Sequence, residues 1–367
     1  MLNYRIFCTL SEGISVIIRI FACVIGFINK KWTMNLPSSA FSNDRRNDMI
    51  APLVSFIIPY HNEPADMLRA SISSITCLSL SSDEREIIVI DDGSDQSPIP
   101  ELQEVKDEII YVRQENAGLS AARNHGLELA HGQYIQFVDA DDYLIPRAYN
   151  HCLDIVRRNQ PEIVQFEFTR TASQKSNYQT DAITDGASYL SGHNLKASAW
   201  SYLFMRCLLG NLRFIPNMLH EDEAFTPVLF LKAKRFCHTH AQAYYYRSHG
   251  GRITTKRTPR HLIKRMNDVE RIIIGLNQQS ASMPSAQAAA LQRRVAQLTM
   301  GYLYEVMVST RSVSQLEHRV ARLKKLGLFP LPNQHYTWKY SWFRHISCSR
   351  MGRSLLVKSA AILRRLA

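Results

Sequence analysis

In Tyr134-Ile135-Gln136-Phe137-Val138-Asp139-Ala140-Asp141-Asp142 a short, mostly apolar run ends abruptly in three carboxylates. A run of this length without polar alternation reads as a strand buried on both faces. The pattern recurs upstream. Leu53-Val54-Ser55-Phe56-Ile57-Ile58 is stopped by Pro59 and followed by Tyr60-His61-Asn62-Glu63. Residues 86–90 run into Asp91-Asp92-Gly93-Ser94, and residues 109–112 lead to Asn116-Ala117-Gly118. Helical spacing fills the gaps. Asp66 is placed to cap a helix bearing Leu68, Ile72 and Ile75, and residues 120–130 carry Ala122, Gly126 and Leu129 on one side. Pro146 opens another helix, and residues 162–168 read as a fifth strand. Alternating strands and helices predict an α/β fold with a doubly wound, mainly parallel sheet flanked by helices. Ligands of such sheets bind beyond the carboxyl ends of the strands, where all three polar clusters fall.

Beyond Thr258 the strand signal stops. Residues 263–276, 286–308 and 313–326 carry helical periodicity, and the tail from Trp338 is aromatic and basic. Its last turns place Leu356, Leu363 and Leu366 near one another, with Arg353, Lys358, Arg364 and Arg365 interspersed. The chain therefore divides into an N-terminal extension (1–50), a catalytic-type α/β domain (51–257) and a helical basic region (258–367). Of the net charge of +12, the excess lies in the C-terminal stretch 251–367, which holds 21 Lys/Arg against Asp268, Glu270, Glu305 and Glu317. Anionic lipid, a phosphate-bearing substrate or nucleic acid are its candidate partners. The composition, 46% apolar and 21% charged, is that of a globular protein. Seven scattered cysteines without a C-x-x-C pair read as free thiols in a reducing compartment. Residues 14–28 are apolar but short for a membrane span and interrupted by Arg19. They read either as an uncleaved interfacial helix or as residues ahead of a true start at Met34 or Met49, the second preferred.

A divalent cation such as Mg2+ or Mn2+ seeks carboxylate oxygens and bridges them to a diphosphate. Asp139-Ala140-Asp141 offers those oxygens, and the metal would neutralise the charge growing on a nucleoside diphosphate leaving group. Alone, a D-x-D turn looks like any solvated acidic cap. Asp91-Asp92-Gly93-Ser94 adds a carboxylate able to accept from a base N–H, although an Asp-Gly turn is also an ordinary strand exit. Asn116-Ala117-Gly118-Leu119-Ser120-Ala121-Ala122-Arg123-Asn124 adds a small-residue entry to a helix, suited to a diphosphate or to tight helix-to-sheet packing.

The stretches V-S-F-I-I-P-Y-H-N-E, V-I-D-D-G-S-D, E-N-A-G-L-S-A-A-R-N and Y-I-Q-F-V-D-A-D-D, in this order, resemble family-2 glycosyltransferases of the GT-A fold, of the bacterial polysaccharide type. The resemblance covers roughly residues 52–255. It implies that Pro59, Tyr60, Glu63 and Asp92 contact the nucleotide and that Asn116, Gly118 and Arg123 lie near it. It implies that Asp139 and Asp141 hold nucleotide-sugar and metal, with Asp141 preferred as the direct ligand. His220-Glu221-Asp222-Glu223-Ala224-Phe225 matches the family's later E-D motif. By resemblance Asp222 is the base of an inverting transfer, with Glu221 or Glu223 as fallback; otherwise the stretch is an acid-rich helix N-terminus. Tyr244-Tyr245-Tyr246-Arg247-Ser248-His249 resembles the family segment that closes over the diphosphate. Arg252-Ile253 departs from the usual Ser before Ile, which leaves this loop's ligand role open. His249 is read as outside the metal set. His238 and His240, alternating as on a strand, are read as structural.

The expectation is a hexosyltransferase-type enzyme with a nucleotide-sugar donor, UDP-linked, and a saccharide or lipid-linked acceptor. It would serve cell-surface polysaccharide or glycan synthesis from the cytoplasm, peripheral to the inner face of the membrane. A Rossmann dehydrogenase would need G-x-G-x-x-G after its first strand, where this chain has Pro59-Tyr60-His61-Asn62. A nucleotidyltransferase would carry a Gly-rich basic loop there. The non-enzyme rival is an inactive GT-A-like protein that binds a membrane surface or nucleic acid through its basic helices. Against it, every acid the chemistry requires is present.

Overall fold

The computed structural model describes residues 51–171, 177–248 and 258–366. The expected N-terminal extension, His249 and Arg252-Ile253 lie outside the described residues. Strands β1 (Val54–Tyr60), β2 (Arg85–Asp92), β3 (Ile110–Gln114), β4 (Tyr134–Phe137), β5 (Tyr143–Leu144), β6 (Ile163–Thr169), β7 (Tyr202–Met205) and β8 (Phe236–Tyr245) form one sheet. Its order is β3-β2-β1-β4-β7-β6-β8-β5. The half that carries the motifs, β3-β2-β1-β4, is wholly parallel. β7 enters antiparallel between β4 and β6, and β5 closes the far edge antiparallel to β8. The sheet is therefore mixed, with its parallel half where the sequence placed it.

β1 is buried along its whole length, because Phe56 and Ile58 face one hydrophobic cluster and Ile57 faces the other. That two-sided burial is why its sequence does not alternate. The strand continues through Pro59, where the sequence reading ended it. Leu53 and Ile57 accept backbone bonds from Tyr134 and Val138, so alternate residues of β1 aim their amides at β4. Pro59 shares that phase, but β4 has ended by then, and its missing N–H leaves no ladder bond unmade.

Helix α1 (Ala65–Thr76) buries Leu68, Ile72 and Ile75 as the spacing predicts. Pro64 holds the cap position without a side-chain bond, and Asp66 sits in the first turn instead of capping. There it still opposes the positive end of the helix. Helix α2 (Leu119–Leu129) lies close on β1: a Cβ added at Gly126 would come 2.3 Å from Ile57 Cγ2. α3 (Pro146–Asn159) covers the opposite face, and α4 (Gly186–Gly192) and α5 (Glu221–Lys232) follow.

The C-terminal region folds as α6 (Pro259–Ser280), α7 (Ser285–Thr310), α8 (Val313–Lys325), α9 (Trp338–Ser347) and α10 (Arg350–Leu366). It packs with the sheet as one unit, Ile50–Ala367. Arg293 of α7 donates to Leu190 O at 3.1 Å, and Arg294 to Leu195 O at 3.0 Å. Gln287 reaches Leu231 O at 2.8 Å. Among the described residues no helix is long and apolar enough to cross a membrane.

Candidate active site

β1, β2 and β4 end side by side because they run in register: Tyr60 lies opposite Asp91, and Ile57 opposite Phe137. Three loops leave these ends and hold one another. Asn62, in the left-handed region at φ 62°, accepts from Asp95 N at 2.8 Å, and its own N–H donates to Ser94 Oγ at 3.0 Å. A Cβ on Gly93, at φ +71°, would fall 2.7 Å from Asn116 N, so only glycine lets the β2 loop pass that close. The Asp92 carboxylate accepts from Ala117 N (2.9 Å), Gly118 N (2.8 Å) and Gln114 Nε2 (2.8 Å). Asp92 thus shapes the entry to α2, where Gly118 at φ 88° takes the cap position. Asn116 sits against the His61 ring at 3.3 Å. Tyr60 is buried, and its hydroxyl donates to Glu63 O at 2.8 Å, so it fixes the same loop. Burial pushes its phenol up to about 12.

Ligand oxygens of Asp139, Asp141 and Asp142 lie within 4.8 Å of one another. Asp142 is fully buried, accepting from Tyr244 Oη at 3.1 Å and Arg247 N at 2.9 Å. Tyr244 Oη in turn takes the Asp139 N–H at 3.1 Å, and the ring stacks on Trp200 at 4.3 Å. Asp142 is thereby an anchor for the turn. Glu63, bound to His61 N at 2.6 Å, has its pKa raised, by burial first and then by the charges of Asp141 and Asp139. Crowded carboxylates of this kind fit a hard divalent cation, and all the donors are oxygen. With Asp142 taken up by Tyr244 and Arg247, Asp139 and Asp141 are the residues of this cluster that could hold one.

Arg123 is buried between two carboxylates. It donates to Glu221 Oε1 at 2.6 Å and to Asp139 Oδ1 at 3.1 Å, and it lies over the rings of Phe137 and Phe214. Burial would depress its pKa, but Asp139, Glu221 and Asp222 outweigh that and raise it. Arg123 therefore ties the β4 turn to α5. Asp222 sits in the first turn of α5, after His220 in a left-handed cap at φ 60°. Its carboxyl is held well above the usual carboxylate range by burial, then by Glu221 and Glu223, with Arg123 opposing. The acid-rich helix start read from the sequence is thus observed, and it holds Asp222.

Asp139, Arg123, Glu221 and Asp222 line a cavity of about 430 Å³. Its lining is otherwise largely aromatic and basic, with Phe168, Trp200, Tyr246, Arg170, Lys196 and Arg265 among the rest. The helical region helps to build this site. Asp268 of α6 accepts from Leu219 N at 3.1 Å and from Lys264 Nζ at 2.6 Å, and Lys264 also reaches Asn217 O at 2.6 Å. Sequence reasoning held Asn62 and Tyr244 only as members of longer stretches, and it missed Trp200 and Asp268 as site-builders. Only the isolated acids in a basic helical region offered a signal, for Asp268.

In the tail, Trp338 (75%), Trp342 (55%), Met351 (84%) and Leu355 (63%) are exposed, each pair spaced i, i+4 on its helix. Phe343, of the same aromatic tail, is instead buried in the core with Tyr340. Arg353, read as part of a basic face, is buried and paired with Glu317 at 2.7 Å.

The chain is similar to known proteins over this same region. EpsJ of Bacillus subtilis, described as an uncharacterized glycosyltransferase, is 32% identical over 221 residues, 55% of this chain and 63% of its own length. The chain thus spans less than two thirds of that relative. An uncharacterized glycosyltransferase of Haemophilus influenzae is 31% identical over 184 residues, 48% of this chain and 71% of its length. The fold matches Staphylococcus aureus TarS 1-349, solved with UDP-GlcNAc, at a TM-score of 0.58 and 15% identity, over 83% of this chain and 92% of that one. It also matches the mannosyltransferase PcManGT of Pyrobaculum calidifontis, solved with GDP-Man and Mn2+, at 0.51 and 15% identity, over 85% and 87%. The profile described as glycosyl transferase family 2 matches residues 55–211, which hold the Asp92, Arg123 and Asp139 loops. With the same loops closed around one site on a GT-A sheet, this chain belongs to glycosyl transferase family 2.

Proposed function

We propose that this chain transfers a sugar, with inversion, from a UDP-linked donor to a saccharide or lipid-linked acceptor in cell-surface polysaccharide or glycan synthesis. The carrying observation is that Asp139 and Asp222 line one cavity and are tied together through Arg123 and Glu221. On this reading Pro59, Tyr60, Glu63, Asp92, Asn116 and Gly118 shape the nucleotide side, and the cavity receives the donor sugar and the acceptor. Mg2+ or Mn2+, held by Asp139 and Asp141, would supply positive charge to the departing diphosphate. Asp222 takes the proton of the acceptor hydroxyl as it attacks the anomeric carbon. A carboxyl raised above its usual range suits that task, because a base works best with its pKa near the operating pH. Arg123 keeps base and donor loops in fixed relation.

The exposed Trp338, Trp342, Met351 and Leu355 on basic helices support a peripheral position on an anionic membrane, at its cytoplasmic face. That location suits a lipid-linked acceptor. The test is a panel of UDP- and GDP-sugars, scored for hydrolysis with Mn2+. Turnover of a UDP-sugar is expected. Turnover of GDP-sugars alone would reject the donor class, and no turnover of any would favour the inactive membrane-binding alternative.

A further inference from the structure

We propose that Asp181, His238 and His240 form a second metal site, for one borderline divalent ion of the Zn2+ class. It is separate from the Asp139–Asp141 carboxylates, and the inference does not depend on the proposed reaction. His238 and His240 are two residues apart on β8 and so share a face, their ring centroids 4.8 Å apart at 81°. Asp181 is laid beside them by backbone: its N–H donates to His238 O at 2.9 Å, and Thr180 bridges Thr239. One ligand atom from each residue lies within 4.8 Å of the others. His238 Nδ1 is 2.8 Å from Asp181 Oδ2, and His240 Nε2 is 3.5 Å from Asp181 Oδ1. The first is a hydrogen bond that a bound ion would replace, and both lie near the ligand-to-ligand spacing of about 3.3 Å that metal–nitrogen bonds of about 2.0–2.1 Å impose in a tetrahedron.

A carboxylate to orient His238 is already in place. His238 turns its other nitrogen, Nε2, toward Glu167 Oε1 at 3.5 Å, and Lys196 holds Glu167 Oε2 at 2.8 Å. A ligating histidine whose remaining N–H faces a carboxylate is the usual support for a bound metal. Asp181 and His240 are 38% exposed at their side chains, leaving an entry path and an open coordination position. Two imidazoles with one carboxylate favour Zn2+, Co2+ or Ni2+ over Mg2+ and Mn2+, the reverse of the all-oxygen site. Bound there, the ion would clip the chain around Asp181 onto β8. It would also steady Lys196, which lines the large cavity.

The test uses the full chain carrying Asp139→Asn and Asp141→Asn, stripped of metal and titrated with Co2+ and Zn2+ at neutral pH. Visible absorption of bound Co2+ and calorimetry are the readouts. One equivalent of Co2+ is expected to give a tetrahedral-type band that Zn2+ abolishes and excess Mg2+ does not. His240→Asn, at a half-exposed position, should remove the band, and Glu167→Gln should weaken binding by about 10–100-fold. Thermal melts in chelator check that these variants fold like the parent. Absence of a band in the parent, or its persistence in folded His240→Asn, would overturn the site.

Discussion

Arg123 is the residue on which the two halves of the site depend, so Arg123→Gln should leave Glu221 and Asp139 facing each other without their cation. Removing one partner of a buried ion pair costs about 3–5 kcal/mol. Urea denaturation should show a loss of that order, and near-parental stability would contradict the bridging role. Asp222→Asn should instead keep the fold and cut turnover by about 10²–10⁴-fold, with UDP affinity from calorimetry little changed. If Asp222→Asn turns over normally while Glu221→Gln or Glu223→Gln is inactive, the base lies one residue away. The pH dependence has a defined sign. Because the Asp222 pKa is raised, the base is lost as pH falls through that elevated value. The acid limb of kcat/KM should therefore sit above the ordinary aspartate range near about 3.9. The same shift means the folded state binds this proton more tightly than the unfolded chain. Its contribution to stability is full below the unfolded pKa and is lost as pH rises through the folded one. The types of these residues were legible in the sequence, Asp139 because it follows a strand and Glu221 to Glu223 because they form an acid-rich helix start. Their pairings were not: Arg123 and Glu221 are 98 residues apart, and nothing local distinguishes a cation for phosphate from one held between carboxylates.

At the level of elements, close approach is what the glycines supply. Gly126→Leu should drive α2 off β1, since even a Cβ would overlap Ile57. Overpacking of this kind costs about 1–3 kcal/mol or more, readable as a lower thermal midpoint. A midpoint equal to the parent's would show that α2 is not seated where described. Parallel strands and their helices were legible because burial on both faces leaves unbroken apolar runs. β7 and β5 were not, being four and two residues long and defined by antiparallel partners far away in sequence. α5 was legible as an acid-rich helix start, but its seat on the cavity depends on Asp268 and Lys264 from a region that reads as a separate basic module.

Taken as a whole, the molecule keeps its acids at the strand ends and its excess cations in helices that also support the site. The tail combines a buried seam, Tyr340 and Phe343, with an exposed apolar set. Replacing Trp338, Trp342, Met351 and Leu355 by Ser should abolish salt-sensitive binding to vesicles containing phosphatidylserine while donor hydrolysis persists. Equal vesicle binding by parent and variant would reject membrane docking, and loss of hydrolysis would make that surface part of the site. The central claim is that the Asp139–Asp141 turn and the Asp222 helix form a metal-assisted transferase. Its most direct measurement is UDP release from a UDP-sugar with Mn2+ and with excess chelator, in the parent and in Asp141→Asn. Release supported by Mn2+, and lost both in chelator and in folded Asp141→Asn, is the predicted result; equal release with and without chelator would contradict it.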